Sequence, residues 1–244
     1  MLPIDEPPLS AELIRSRHDA LLERLRAAAD EAGRDPHAIR VVAVTKGFGI
    51  DVVRAARAAG LTRFGENRVQ EAIPKVAAIP DAEWHLVGRL QANKARAALR
   101  AFPTVHSVDS LDLLRRLDRI AHDESLTPRL LLQVNVSGEA SKAGFAPAWF
   151  EDEVRRRGPL AAAVEQLAAA RVVGLMTISP AGVASDEARR VFAALRRLRD
   201  DLEQLTGRPL PELSMGMTGD AEAGAAEGAT LVRVGTAIFG PRPA

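Results

Sequence analysis

The chain has 244 residues, a net charge of +1, no Cys and no Tyr. Those counts exclude a thiolate nucleophile, a disulfide framework, a thiolate metal site and a phenolic acid or base from the chain's own sequence. The near-neutral charge gives no reason to expect nucleic acid or an anionic membrane as partner.

The elements follow in chain order. Residues 1–8 carry two acids and no basic, apolar signal pattern, which points to a cytoplasmic protein. No apolar run approaches the roughly 20 residues that span a bilayer. The spacing predicts a helix over 9–32, with Leu13, Leu21, Leu22 and Leu25 mainly on one stripe and Gly33 ending it. A β-branched run over 40–45 is too short for a helix and reads as a strand. Alternation then sets in: helix 52–59, strand 62–65, helix 66–78, strand 84–88, helix 92–101 and strand 104–108. The second half continues with helix 111–123, strand 129–136 and a helical stretch 147–170 interrupted at Gly158-Pro159. Strand 172–178, helix 185–206, strand 212–217, helix 221–227 and strand 231–234 complete it.

Strand–helix alternation with near-continuous apolar strands means a parallel sheet buried on both faces. Eight strands close into a single α/β (β/α)8 TIM-type barrel, whereas five to seven would form an open doubly wound sheet. Too few residues follow the last strand for a full outer helix, and the extra N-terminal helix covers that gap. No linker, repeat or charge run divides the chain, so residues 1–244 read as one domain.

Reactive groups of a barrel sit at the C-terminal ends of its strands. Schiff-base chemistry needs an amine, and an always-protonated Arg cannot supply it, which leaves Lys46, Lys75, Lys94 and Lys142. Lys46 directly follows the first strand. Lys75 lies within a predicted helix, where a solvated face is the default. Lys94 opens the helix after the third strand. Lys142, in a polar loop after the fifth strand, is the one serious rival to Lys46.

Near the C-terminus, Ser214-Met-Gly-Met-Thr218-Gly-Asp220 follows the seventh strand and Arg233-Val-Gly235-Thr236 ends the eighth. Glycine-flanked hydroxyls and free amides at adjacent strand ends form an anion site, and barrels often bind phosphate there. The competing role for Thr218 is a helix N-cap with Asp220 in the first turn. A third glycine is missing from Gly47-Phe-Gly49, so no dinucleotide fingerprint exists. The five histidines never gather into a zinc pattern, and His85 on its strand reads as a satisfied core histidine.

Five segments carry a resemblance: Ala43-Val-Thr-Lys46, Phe64-Gly-Glu-Asn-Arg-Val-Gln-Glu71, Trp84-His-Leu-Val-Gly-Arg-Leu-Gln-Ala-Asn-Lys94, Leu213-Ser-Met-Gly-Met217 and Val232-Arg-Val-Gly-Thr-Ala-Ile-Phe-Gly240. The chain resembles the pyridoxal-phosphate homeostasis proteins over nearly its whole length. The resemblance implies a barrel like the N-terminal domain of alanine racemase, with pyridoxal 5′-phosphate held as an internal aldimine on Lys46. It implies that Arg233 meets the pyridine nitrogen and that Thr218, Gly235 and Thr236 hold the phosphate. Asn67, His85 and Met176 are looser pocket candidates. The chain departs from the family pattern in Thr218, where Ser is commoner, in Gly219, where an acid is frequent, and in lacking a proline soon after Lys46.

A carrier that stores, buffers or delivers the cofactor is then expected rather than an enzyme. An Arg at the pyridine nitrogen donates a hydrogen bond but no proton, which leaves a weak electron sink. The racemase's second base, a tyrosine from an additional domain, has no counterpart in a chain without Tyr. A PLP-dependent racemase and a lysine aldolase-type barrel are the alternatives. The expected partners are pyridoxal phosphate and PLP-dependent apoenzymes, and the chain is expected to be a monomer without a metal.

Overall fold

The computed structural model describes residues 9–242 apart from Ala140, so the reading of residues 1–8 lies outside the described residues. Helix α1 (Ala11–Glu31) starts at Ser10, whose hydroxyl accepts from the Leu13 N–H at 3.2 Å. Its buried stripe is Ile14, Leu21, Leu25 and Ala29, four positions that share one face at 3.6 residues per turn. Leu13, expected on that stripe, is rotated off it and 37% exposed.

The elements then run β1 (Arg40–Val44), α2 (Ile50–Ala58), β2 (Arg63–Glu66), α3 (Val69–Ala78), β3 (Glu83–Leu86), α4 (Ala95–Ala101), β4 (Thr104–Val108), α5 (Leu111–Asp123) and β5 (Arg129–Gln133). After them come α6 (Pro147–Arg156), α7 (Pro159–Glu165), β6 (Arg171–Met176), α8 (Ser185–Thr206), β7 (Glu212–Ser214), α9 (Ala221–Ala226), β8 (Leu231–Val234) and α10 (Thr236–Phe239). The eight strands pair in parallel and in sequence order, and β8 returns to β1 with Arg233 opposite Val42. The barrel is closed. Helix α1 packs against α2, α9 and α10 and so covers the seam that the short α10 leaves open.

Four predicted strands stop two or more residues early, at Leu86, Gln133, Met176 and Ser214. Apolar residues past three of these ends, Val87, Ile178 and Met217, line a cavity at the rim instead of pairing in the sheet. The helix expected from residue 66 begins at Val69, because Glu66 completes β2.

Alternate strand residues face opposite ways. Phe64, Trp84, Val105 and Leu130 join the core between sheet and helices, while Val42, Leu131, Met176 and Leu231 fill the barrel interior. The first residues of several strands close the bottom with charge. Glu212, 2% exposed, lies between Arg40 at 2.5 Å and Arg129, and Glu83 meets Arg63 at 2.9 Å. The His85 ring beside Glu83, together with Arg63 and Arg129, holds that carboxyl down to about 2.

Candidate functional site

At the C-terminal end of the strands a cavity of about 300 Å³ opens, the lower end of the range for small-ligand sites. Its polar lining is Lys46, Asn67, Thr218, Arg233, Thr236 and Arg242, with apolar walls from Val44, Phe48, Val87, Ile178 and Met217. Three cations and no carboxylate line it, a composition that suits an anion. Lys46, Asn67, Thr218, Arg233, Gly235 and Thr236 meet here from strand ends far apart in sequence. His85 and Met176 do not line the cavity; both are fully buried in the barrel interior beneath it.

Lys46 follows β1 and is half-buried, with no ion pair among the described residues. The chain turns sharply after it: Gly47 has φ +78, a conformation L side chains rarely adopt, and the Phe48 N–H donates to the Thr45 carbonyl at 3.1 Å. Phe48 then packs on Phe239, ring centroids 5.4 Å apart, which fixes the wall beside the lysine.

The other lysines lie outside the cavity lining. Lys75 is 4% exposed, not on a solvated face, and pairs with Glu66 at 2.7 Å. Lys94 lines a neighbouring polar cleft that shares Asn67 with the cavity. Lys142 donates to Glu139 at 2.6 Å and to the Ile178 carbonyl at 3.4 Å. Among the described residues Lys46 is the one lysine in the cavity lining.

Arg233 is buried, and burial lowers it to about 10, which leaves it cationic at neutral pH. Its Nη1 donates to Ser214 Oγ at 2.6 Å and its Nη2 to the Thr177 carbonyl at 2.9 Å. Ser214 Oγ also lies 2.7 Å from His106 Nδ1, and His106 Nε2 lies 2.8 Å from His85 Nδ1. Each neutral imidazole carries one N–H, and the ionised Glu83 carboxylate beside His85 Nε2 can only accept, so the proton directions follow from that end. The Ser214 hydroxyl donates to His106 Nδ1, His106 Nε2–H donates to His85 Nδ1, and His85 Nε2–H faces Glu83 Oε1 at 3.3 Å, a contact too bent to be a full hydrogen bond. Both imidazoles are neutral, because burial lowers their pKa values. The chain runs from the cavity floor to the charged barrel bottom, and every bond donates away from the cavity.

The opposite end of the cavity is made of loops. Asp220, not Thr218, occupies the N-cap position of α9, and its carboxylate accepts from the Met217 N–H at 2.6 Å and from the Ser179 hydroxyl. This bracing leaves Thr218 in the turn, and neither the Thr218 nor the Thr236 hydroxyl has a partner among the described residues. Gly235 lets the chain lie close on β1, since a Cβ there would sit 3.0 Å from the Val44 carbonyl oxygen. Asn67 is placed by a similar approach: a Cβ at Gly88 would come within 2.3 Å of its carbonyl oxygen.

Sequence reasoning missed Phe48, Val87, Ile178, Met217 and Arg242. The apolar ones carried a signal, as they directly follow strand ends where a cavity opens. Arg242 carried none.

The family model for "Alanine racemase, N-terminal domain" matches residues 17–243. A pyridoxal phosphate homeostasis protein of Pseudomonas aeruginosa is 46% identical over 222 residues, 90% of this chain and 91% of that one. This chain belongs to the pyridoxal phosphate homeostasis protein family. A relative of that name from Synechocystis is 40% identical over 85% of this chain and 93% of its own length. Among solved structures, PipY of Synechococcus elongatus with PLP bound is 41% identical, with a TM-score of 0.74 over 90% of this chain and 100% of that one. Alanine racemase of Clostridium difficile shares the fold at 14% identity, with a TM-score of 0.68 over 91% of this chain and 57% of the racemase.

Proposed function

We propose that this member of the family is a single-domain, monomeric, cytoplasmic carrier that binds pyridoxal 5′-phosphate on Lys46 and holds it for delivery to apoenzymes. The observation that carries the reading is one acid-free cavity that combines a lysine amine, a buried guanidinium and two unengaged threonine hydroxyls. The residues present fit the group: a phosphate needs donors without carboxylates, a pyridine nitrogen needs one donor, and an aldehyde needs one amine. When bound, pyridoxal phosphate supplies an aldehyde that an amine captures reversibly with loss of one water, and a ring that draws electrons when its nitrogen is protonated.

Lys46 supplies the amine. Thr218 and Thr236 hold the phosphate with the backbone at Gly235, and Arg233 donates to the ring nitrogen while Asn67 lines the side. His85 and Met176 support the floor from below. Arg233 keeps its own protons, and the Ser214–His106–His85 chain behind it cannot relay one upward, since all its donors point away. A neutral ring nitrogen is a weak electron sink, which supports holding over turnover.

The test is direct. Purified protein is scanned for the visible chromophore of a lysine-bound cofactor, reduced with borohydride, and mapped by mass spectrometry. Label on Lys46 is expected. No chromophore, or label on Lys142 with Lys46 untouched, sinks the assignment, and robust turnover of alanine sinks the carrier reading.

A further inference from the structure

Lys75 and Glu71 of α3 and Glu66 of β2 are buried or half-buried ions that the cavity itself does not use. Burying a lysine and a glutamate costs several kcal/mol per ion, and an apolar pair of similar volume often serves stability equally well. Their contacts beyond one another fall on two residues. Lys75 Nζ donates to the Thr45 carbonyl at 2.9 Å, and the Thr45 hydroxyl donates to Glu66 Oε1 at 2.6 Å. Glu71 Oε1 accepts the Gly47 N–H at 2.6 Å. Thr45 and Gly47 are the two neighbours of Lys46, so the peptide on each side of it is gripped.

The grip is one connected unit. Lys75 Nζ spends its three N–H groups on the Thr45 carbonyl, Glu66 Oε1 at 2.7 Å and Glu71 Oε1 at 3.5 Å. It therefore ties the two carboxylates together, and they reach Lys46 from opposite sides. Gly47, at φ +78, is the joint that would otherwise let the lysine swing.

We infer that Lys75, Glu66 and Glu71 are positioning residues that hold the Lys46 backbone so that its amine meets the aldehyde of the bound cofactor. The inference rests on the proposed function, since it assumes that Lys46 makes the covalent link. It separates two parts of binding. Phosphate and ring are held by Thr218, Gly235, Thr236 and Arg233, none of which touches the cluster, whereas capture of the aldehyde depends on where Lys46 stands.

The test compares two ligands on the full-length protein: pyridoxal 5′-phosphate and 4-deoxypyridoxine 5′-phosphate, which lacks the aldehyde. Glu71→Ala is the first variant, because Glu71 is partly exposed and its loss leaves no buried charge alone. Roughly tenfold weaker binding of pyridoxal phosphate is expected, the effect of about 1.4 kcal/mol, with the deoxy analogue bound as in the parent. Glu66→Gln with Lys75→Met, which keeps the buried pair neutral, is the second variant and has the same expected split. Unchanged binding of both ligands, or equal weakening of both, in folded variants overturns the inference. A parent protein that binds the two ligands alike, or a Lys46→Ala variant that keeps the preference for the aldehyde, defeats the proposed function instead.

Discussion

Arg233 Nη1 donates to Ser214 Oγ at 2.6 Å, and this bond joins the cavity floor to the His106–His85 pair behind it. Ser214→Ala leaves an Arg233 N–H and His106 Nδ1 without their partner in the barrel interior. Such losses cost about 1–3 kcal/mol. A lower urea midpoint with an unchanged denaturant slope is the expected result, accompanied by weaker cofactor binding as Arg233 loses one of its two anchors. An unchanged midpoint would mean that the chain does not act as a unit.

The buried histidines make stability depend on pH. Burial, with His85 and Arg233 nearby, holds His106 well below its usual value, and burial lowers His85 as well. The unfolded chain takes up protons near pH 6.5 that the folded chain refuses. Their stabilisation is therefore complete above about pH 6.5 and declines as the pH falls below it. Glu66 works the other way: burial pushes its carboxyl up, so its contribution improves as the pH falls towards about 4.5. Comparing the parent with His106→Asn isolates the histidine. Between pH 7 and pH 5 the parent should lose more unfolding free energy than the variant, up to about 1.4 kcal/mol per pH unit for one proton.

On the proposed function, Thr218 and Thr236 each offer the phosphate one hydroxyl. Thr218→Val or Thr236→Val removes a hydroxyl while keeping the shape. Each should weaken pyridoxal 5′-phosphate by roughly tenfold, as for one lost hydrogen bond to a charged group. Pyridoxal without the phosphate should bind each variant as it binds the parent. Equal loss for both ligands would move the phosphate away from this turn.

Gly88 is there for Asn67. Its missing Cβ would stand 2.3 Å from the Asn67 carbonyl oxygen, closer than any real contact. Gly88→Ala should destabilise the protein by about 1–3 kcal/mol, the range for overpacking. It should also displace the β2 loop that carries Asn67, which thermal unfolding and cofactor titration would show together.

Much of this molecule was written in local pattern. Short apolar strands alternating with amphipathic helices, and breaks such as Gly158-Pro159, depend only on neighbours in sequence, so the eight-stranded barrel and Lys46 at its rim were legible. The pairing of Gly-Thr turns at adjacent strand ends was legible for the same reason, because strand order equals sequence order. Other features needed the closed barrel. Lys75 looked like a surface lysine until α3 packed it on Glu66 and Thr45, and Leu13 gave way to Ile14 through a rotation of one position on α1. The strands read past Met176 and Ser214 were too long because apolar residues can line a cavity as well as a sheet. His85, His106, Ser214 and Arg233 lie on four strands, and no spacing in the sequence reveals that they form one chain of hydrogen bonds. Periodicity sets which elements form, since it acts within a few residues. Which side chains share the barrel interior is decided only when distant strands close, and among the described residues that closure brings one of the four lysines, Lys46, into the cavity lining.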